Sequence, residues 1–140
     1  MKRRIVVDSS VWVDYLRDLP TAAAGLLDRL IGTDRLVTAD LVMFEVLQGV
    51  RDERAFRLTQ ERLSCGTFLR VCDEYVISQA ARNYRQLRGL GITVRKTIDT
   101  LIATRCILDD LPLLYSDRDF DPFVEHLGLT SALDLGSGVN

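Results

Sequence analysis

Apolar residues in this chain gather in short runs, and a segment of helical periodicity follows each run. Residues 2–8, 35–38, 67–71 and 113–115 read as strands too brief for anything but a buried sheet. Helical stretches lie between and after them at 9–17, 21–31, 40–49, 53–63, 73–90 and 97–109, with a short one at 122–127. Gly32 and Gly91 stand where two of these helices should end, and Asp40, Thr97 and Asp121 where three should be capped. Short strands alternating with helices give an α/β class: a mostly parallel, short-stranded sheet flanked by helices in an α/β/α sandwich. Residues 129–132 are a candidate last edge strand, and residues 136–140 a tail expected to fray. No linker, repeat or low-complexity segment divides the chain, so a single domain is expected over residues 1–135 of the 140.

In parallel sheets, sites form beyond the carboxyl ends of the strands. An acid directly after a strand is therefore informative. Asp8 ends the run "RRIVVD" and precedes two hydroxyls, Ser9 and Ser10. It reads either as the cap of the next helix or as part of a site. Asp117, in "LLYSDRDFDPF", repeats the arrangement of strand, acid, helix. Asp121 precedes Pro122, which suits a first helical position, so Asp121 is the plain cap and Asp117 is left without a structural task. Asp119 is ambiguous. Asp99 falls in the first turn of the helix that begins near Thr97, where the helix dipole alone could account for it. Glu45 sits in "LVMFEVLQGV", among Val42, Met43, Phe44, Val46 and Leu47. A carboxylate on so apolar a helix lies at an exposed flank, or it is paired, protonated or bound to metal. In a compact α/β domain these four acids can meet at one edge of the sheet. Their mutual repulsion would then be relieved by a hard divalent cation with oxygen ligands, Mg²⁺ or Mn²⁺.

Composition removes the competitors. His126 is the only histidine, and Cys65, Cys72 and Cys106 make no CxxC pair. A zinc cluster and paired-histidine acid–base chemistry are both excluded, and the cysteines read as packing residues in a reducing compartment. Net charge is only −2, yet residues 75–98 hold no acid while carrying Arg82, Arg85, Arg88, Arg95 and Lys96. That segment is either a solvated helix face or a surface for an anionic partner. No apolar run reaches the roughly 18 residues of a membrane span, and the three apolar residues behind Lys2, Arg3 and Arg4 are too few for a signal peptide. A cytoplasmic protein with no membrane association is expected. A phosphoacceptor domain also places an aspartate at a strand end, but it needs an acidic pair early in the chain, and "KRRIVVD" has none.

Four stretches in order, "VVDSSVWVDYL", "FEVLQGVRDE", "VRKTIDTLIA" and "LLYSDRDFDPF", resemble the PIN-domain nucleases, specifically VapC-type toxins of toxin–antitoxin pairs. The resemblance spans nearly the whole chain and matches Asp8, Glu45, Asp99 and Asp117 to the family's catalytic quartet. Ser9 and Ser10 match the small hydroxyl positions after the first acid, and Asp119 an additional acid of many members. The resemblance implies a Mg²⁺- or Mn²⁺-dependent endoribonuclease acting on RNA, commonly tRNA or rRNA, through metal-activated water. In it Asp8, Asp99 and Asp117 would hold the metal, and Glu45 would orient the water or join a second metal site. It implies a homodimer and a cognate antitoxin as partners. Arg95, Lys96 and the arginines of 82–88 are then candidates to hold the RNA backbone. The alternative is a catalytically inactive PIN-like interaction module. Such a module would be expected to lose acids from the quartet, and none is missing here.

Overall fold

A computed structural model describes residues 3–139. Its strands are β1 (Ile5–Val7), β2 (Leu36–Ala39), β3 (Thr67–Leu69) and β4 (Leu113–Leu114), and its helices α1 (Ser9–Leu16), α2 (Ala22–Leu30), α3 (Asp40–Gln48), α4 (Glu53–Leu63), α5 (Glu74–Gly89), α6 (Thr97–Leu108) and α7 (Asp121–Leu127). The four strands form one sheet in the order β3-β2-β1-β4, and every pairing is parallel. Ile5 stands opposite Leu36, Val6 opposite both Val37 and Leu113, and Val37 opposite Thr67. Every residue of β1, β2 and β4 is buried, which is why their runs are continuously apolar rather than alternating. β3, at the edge, is mostly exposed, with Phe68 on the surface.

The helices cover the sheet with their apolar stripes. α1 packs on α2 and α3, and α5 on α6. Trp12, Leu27, Leu30, Leu63, Leu87, Ile102, Phe120 and Phe123 are sealed within the core. Gly91 adopts φ +81° just past α5, the left-handed geometry that closes helices and that glycine adopts without steric cost. No helix among the described residues is long and apolar enough to cross a membrane.

The strands are shorter than their apolar runs. β1 begins at Ile5, where the amide first finds a partner in the Arg35 carbonyl, and Lys2 lies outside the described residues. β3 stops at Leu69 and β4 at Leu114, because their ladder partners end there. Residues 129–132 supply only a single parallel bridge, Ser131 to Leu113, and not a strand. Residues 136–139 of the tail expected to fray belong to a 3-10 helix, Ala132–Val139, and Asn140 lies outside the described residues.

Three caps also differ from expectation. Asp40 is the first residue of α3, and its Oδ1 accepts from the Val71 amide at 3.1 Å, fastening the end of the β3 segment to α3. Lys96, not Thr97, holds the capping position of α6, without a side-chain bond. Asp121 is the first residue of α7, and its carboxylate accepts from the Tyr115 hydroxyl at 3.0 Å. Of the three cysteines, Cys106 is packed inside, whereas Cys65 and Cys72 are free thiols on the surface, so only one has a packing role.

Candidate active site

The strand order fixes where a site can lie. From β1 the chain winds outward through β2 to β3, then returns to place β4 on β1's other side. The two β-α connections at β1 and β4 therefore diverge and leave a crevice beyond their carboxyl ends. Asp8 directly follows β1, and Asp117 lies three residues beyond Leu114 of β4. Glu45 enters from the middle of α3 and Asp99 from the first turn of α6. All four line one cleft of about 400 Å³, together with Ser10 and Lys96.

Asp8 both caps α1 and faces the cleft, so the two readings of it are compatible. It is 3% exposed, and its Oδ2 accepts from the Ser10 amide at 3.1 Å and from the Ser10 hydroxyl at 2.6 Å. The same hydroxyl accepts from the Ser116 amide at 3.2 Å, which ties the segment after β4 to the segment after β1. Asp8 Oδ1 is buried with no hydrogen-bond partner, and so is Asp99 Oδ2. Two orphaned carboxylate oxygens facing one crevice are costly unless a proton or a cation satisfies them.

Electrostatics follow from this placement. Burial pushes the Asp8 carboxyl above its usual range, although the Ser10 bonds oppose the shift. Burial, and then the charge of Asp8, push Asp99 up to about 7, with Lys96 pulling the other way. Glu45 is raised by burial and by Asp8, while the Ser9 hydroxyl donates to its Oε1 at 3.3 Å. Its helix buries Val42 and Val46 but leaves Phe44 60% exposed, so Glu45 stands on a half-buried flank rather than in an apolar interior.

Asp117 behaves differently. It caps the 3-10 turn Arg118–Phe120 through the Asp119 amide at 2.9 Å, so it does have a structural task. Its other oxygen pairs with Lys96 Nζ at 3.0 Å. Burial raises its pKa, but the Asp119 amide and Lys96 outweigh burial and leave it below the usual range. Asp119 pairs with Arg95 at 2.9 Å.

Among the described residues, Asp99, Asp117 and Asp119 each offer an oxygen within 4.8 Å of the others. Asp119 thus joins Asp99 and Asp117 at ligand spacing, while Asp8 and Glu45 line the same cleft. Carboxylate oxygens, two of them orphaned, suit a hard divalent cation, and neither histidine nor cysteine reaches the cleft. Asp14, also in the lining, was missed from sequence. It lies one helical turn after Ser10, a spacing that put it on the same face. Arg95 and Lys96, candidates for the RNA backbone, pair with Asp119 and Asp117 of the chain itself. Arg82, Arg85 and Arg88 are exposed on α5.

Comparison with known proteins agrees with this geometry. The family model of the PIN domain matches residues 5–124. Ribonuclease VapC11 of Mycobacterium tuberculosis is 34% identical over 131 residues, covering 91% of this chain and 97% of that protein. Ribonuclease VapC19 of the same species is 30% identical over 122 residues, covering 84% and 93%. In fold, the chain resembles VapBC2 from Rickettsia felis bound to a DNA fragment from its promoter, with TM-score 0.72, 14% identity and coverage of 91% and 96%. It likewise resembles a toxin–antitoxin complex from Klebsiella pneumoniae, with TM-score 0.68, 13% identity and the same coverage. With its parallel sheet, its acids at the β1–β4 crevice and its extended match to these relatives, the chain belongs to the PIN-domain family, among the VapC-type ribonucleases.

Proposed function

We propose that this protein is a Mg²⁺- or Mn²⁺-dependent endoribonuclease toxin that cuts structured RNA, tRNA or rRNA, and is held in check by a cognate antitoxin. One observation carries the reading. Four acids from four separate elements converge on one crevice, and two buried carboxylate oxygens there have no partner. The names of the relatives add support, since both are called ribonucleases, and solved proteins of the same fold are toxin–antitoxin complexes.

The residues divide the work. Asp8, held in one orientation by Ser10, and Asp99, at the start of α6, present the oxygens that would hold the ion, with Asp117 and Asp119 closing the set from the rim. A divalent cation bound there supplies charge stabilisation at the scissile phosphate and a water acidic enough to attack near neutral pH. Glu45, turned by Ser9 and raised in pKa, is placed to accept the proton of the attacking water. The exposed arginines of α5 lie on a helix without acids in its last three turns and offer the RNA backbone a basic surface. A second copy of the chain is the expected homodimer partner, as the family resemblance implies. Attack by water rather than by the 2′-hydroxyl leaves a 5′-phosphate and a 3′-hydroxyl.

Purified protein incubated with total RNA in Mn²⁺, and separately in EDTA, tests this reading. Discrete cleavage in Mn²⁺ alone, with 5′-phosphate ends, is expected. Intact RNA under both conditions would favour the non-catalytic interaction module, and 2′,3′-cyclic phosphate ends would overturn the water mechanism.

A further inference from the structure

The loop before α6 carries two cations to the two rim acids: Arg95 to Asp119 and Lys96 to Asp117. Of the two, Lys96 belongs to the cleft lining itself. Its backbone is fixed, because its carbonyl accepts the Asp99 amide at 3.1 Å as α6 begins. Its side chain is 58% exposed, so the ammonium is tethered to the site but free to swing on its four-carbon stem.

Asp117 Oδ1 is already used by the Asp119 amide, and the oxygen left open to a cation, Oδ2, is the one Lys96 holds. The floor of the cleft is not served in this way. Asp8 Oδ1 and Asp99 Oδ2 remain without a hydrogen-bond donor. The chain therefore neutralises the rim from within and leaves the floor to something else. An ammonium and a divalent ion cannot both sit against Asp117 Oδ2 without repelling one another at contact distance.

We propose that Lys96 is the resident counter-cation of this site. It is a positioning residue that holds Asp117 in place while no metal is bound and competes with a divalent cation for the same oxygen. The proposal rests on the metal-binding part of the reading above, not on the nuclease activity. A half-exposed pair of this kind is weak, so the competition lowers metal affinity modestly and does not block it.

The test uses the intact protein, Lys96→Met, which keeps the stem and removes the charge, and Lys96→Arg, which keeps the charge. Calorimetric titration with Mn²⁺ in the absence of RNA should show Lys96→Met binding about two- to fivefold tighter than wild type, with Lys96→Arg near wild type. Raising NaCl should narrow the difference, because the competing charge is largely exposed. Thermal melts in EDTA should place Lys96→Met below wild type, and Mn²⁺ should raise its melting temperature more than it raises wild type's. Equal or weaker Mn²⁺ binding by Lys96→Met would overturn the proposal and make Lys96 part of the ion's own scaffold. No Mn²⁺ binding by any of the three proteins would overturn it together with the metal site. RNA cleavage is not a readout, so an inactive wild type would count against the nuclease reading alone.

Discussion

The cleft has two kinds of carboxylate. Asp8 and Asp99, on its floor, are buried, have oxygens without partners and are pushed up in pKa. Asp117 and Asp119, on its rim, are paired with Lys96 and Arg95, and Asp117 is pushed down. All four stand at or just inside an element boundary, and the difference between the two pairs is solvent and neighbours. The floor acids each keep one buried oxygen that no donor of the described residues satisfies, which a proton or an added cation would relieve. The rim acids are already compensated by the chain. Affinity for an ion should come from the floor, and the rim should adjust it.

The largest effect is expected at Asp99. Replacing it with Asn should reduce RNA cleavage by more than the 10–100-fold typical of losing an outer partner of a metal ligand. In EDTA the same variant should be more stable than wild type. With its folded pKa of about 7 above the ordinary 3.8, Asp99 binds a proton in the folded state that the unfolded chain releases. Stability is then greatest at low pH as far as this group is concerned, falls as pH rises from about 4 through 7, and levels off above. Metal-free wild type should lose on the order of a few kcal/mol across that window through Asp99, and Asp99→Asn should lose much less. Urea melts at pH 5, 6, 7 and 8 read this directly. Parallel pH curves for the two proteins would show that Asp99 is not strained.

A smaller effect is expected at Glu45, which is only half-buried. Glu45→Gln removes one like charge beside Asp8 and should raise the melting temperature in EDTA, by less than Asp99→Asn does, while also reducing cleavage. A lower melting temperature would mean that the contact from Ser9 to Glu45 outweighs the repulsion.

The smallest effect belongs to the rim. Asp119→Asn gives up a pair with an arginine that is 77% exposed, and should lower stability only slightly, without a gain in EDTA. If the rim variant were stabilised as much as the floor variant, the distinction between the two pairs would collapse.

These assignments were unevenly legible in the sequence. Asp8 and Asp117 could be read because an acid ending an apolar strand is a local signal, and Glu45 because its neighbours are apolar. The alternation of elements gave the α/β class for the same reason, since period and run length are local. Sheet order is not local. Nothing near residue 113 says that β4 pairs with β1, so the meeting of Asp117 with Asp8 rested on their shared strand-end placement and on the family resemblance, not on a readable strand order. The caps at Asp40 and Asp121 were misplaced by one residue: each is the first residue of its helix, where its carboxylate also takes a partner outside that helix, the Val71 amide and the Tyr115 hydroxyl. The roles of Lys96 and Arg95 were hidden in the same way, since a basic residue in an acid-free segment reads as an external surface until tertiary structure supplies its acid.

The pairing of Val6 with Leu113 also sets a timetable. A ribosome adding about 5–20 residues per second makes Asp8 roughly 5–20 s before Asp117. In that interval β1 can find β2, a much closer partner in sequence, but the crevice has only one wall. Closing the longer loop comes late, both because the chain must first exist and because distant contacts form slowly. A nascent chain interrupted anywhere before β4 therefore carries at most three of the four acids and no completed cleft. The site is present only in the nearly finished molecule, so an unfinished one has nothing to restrain.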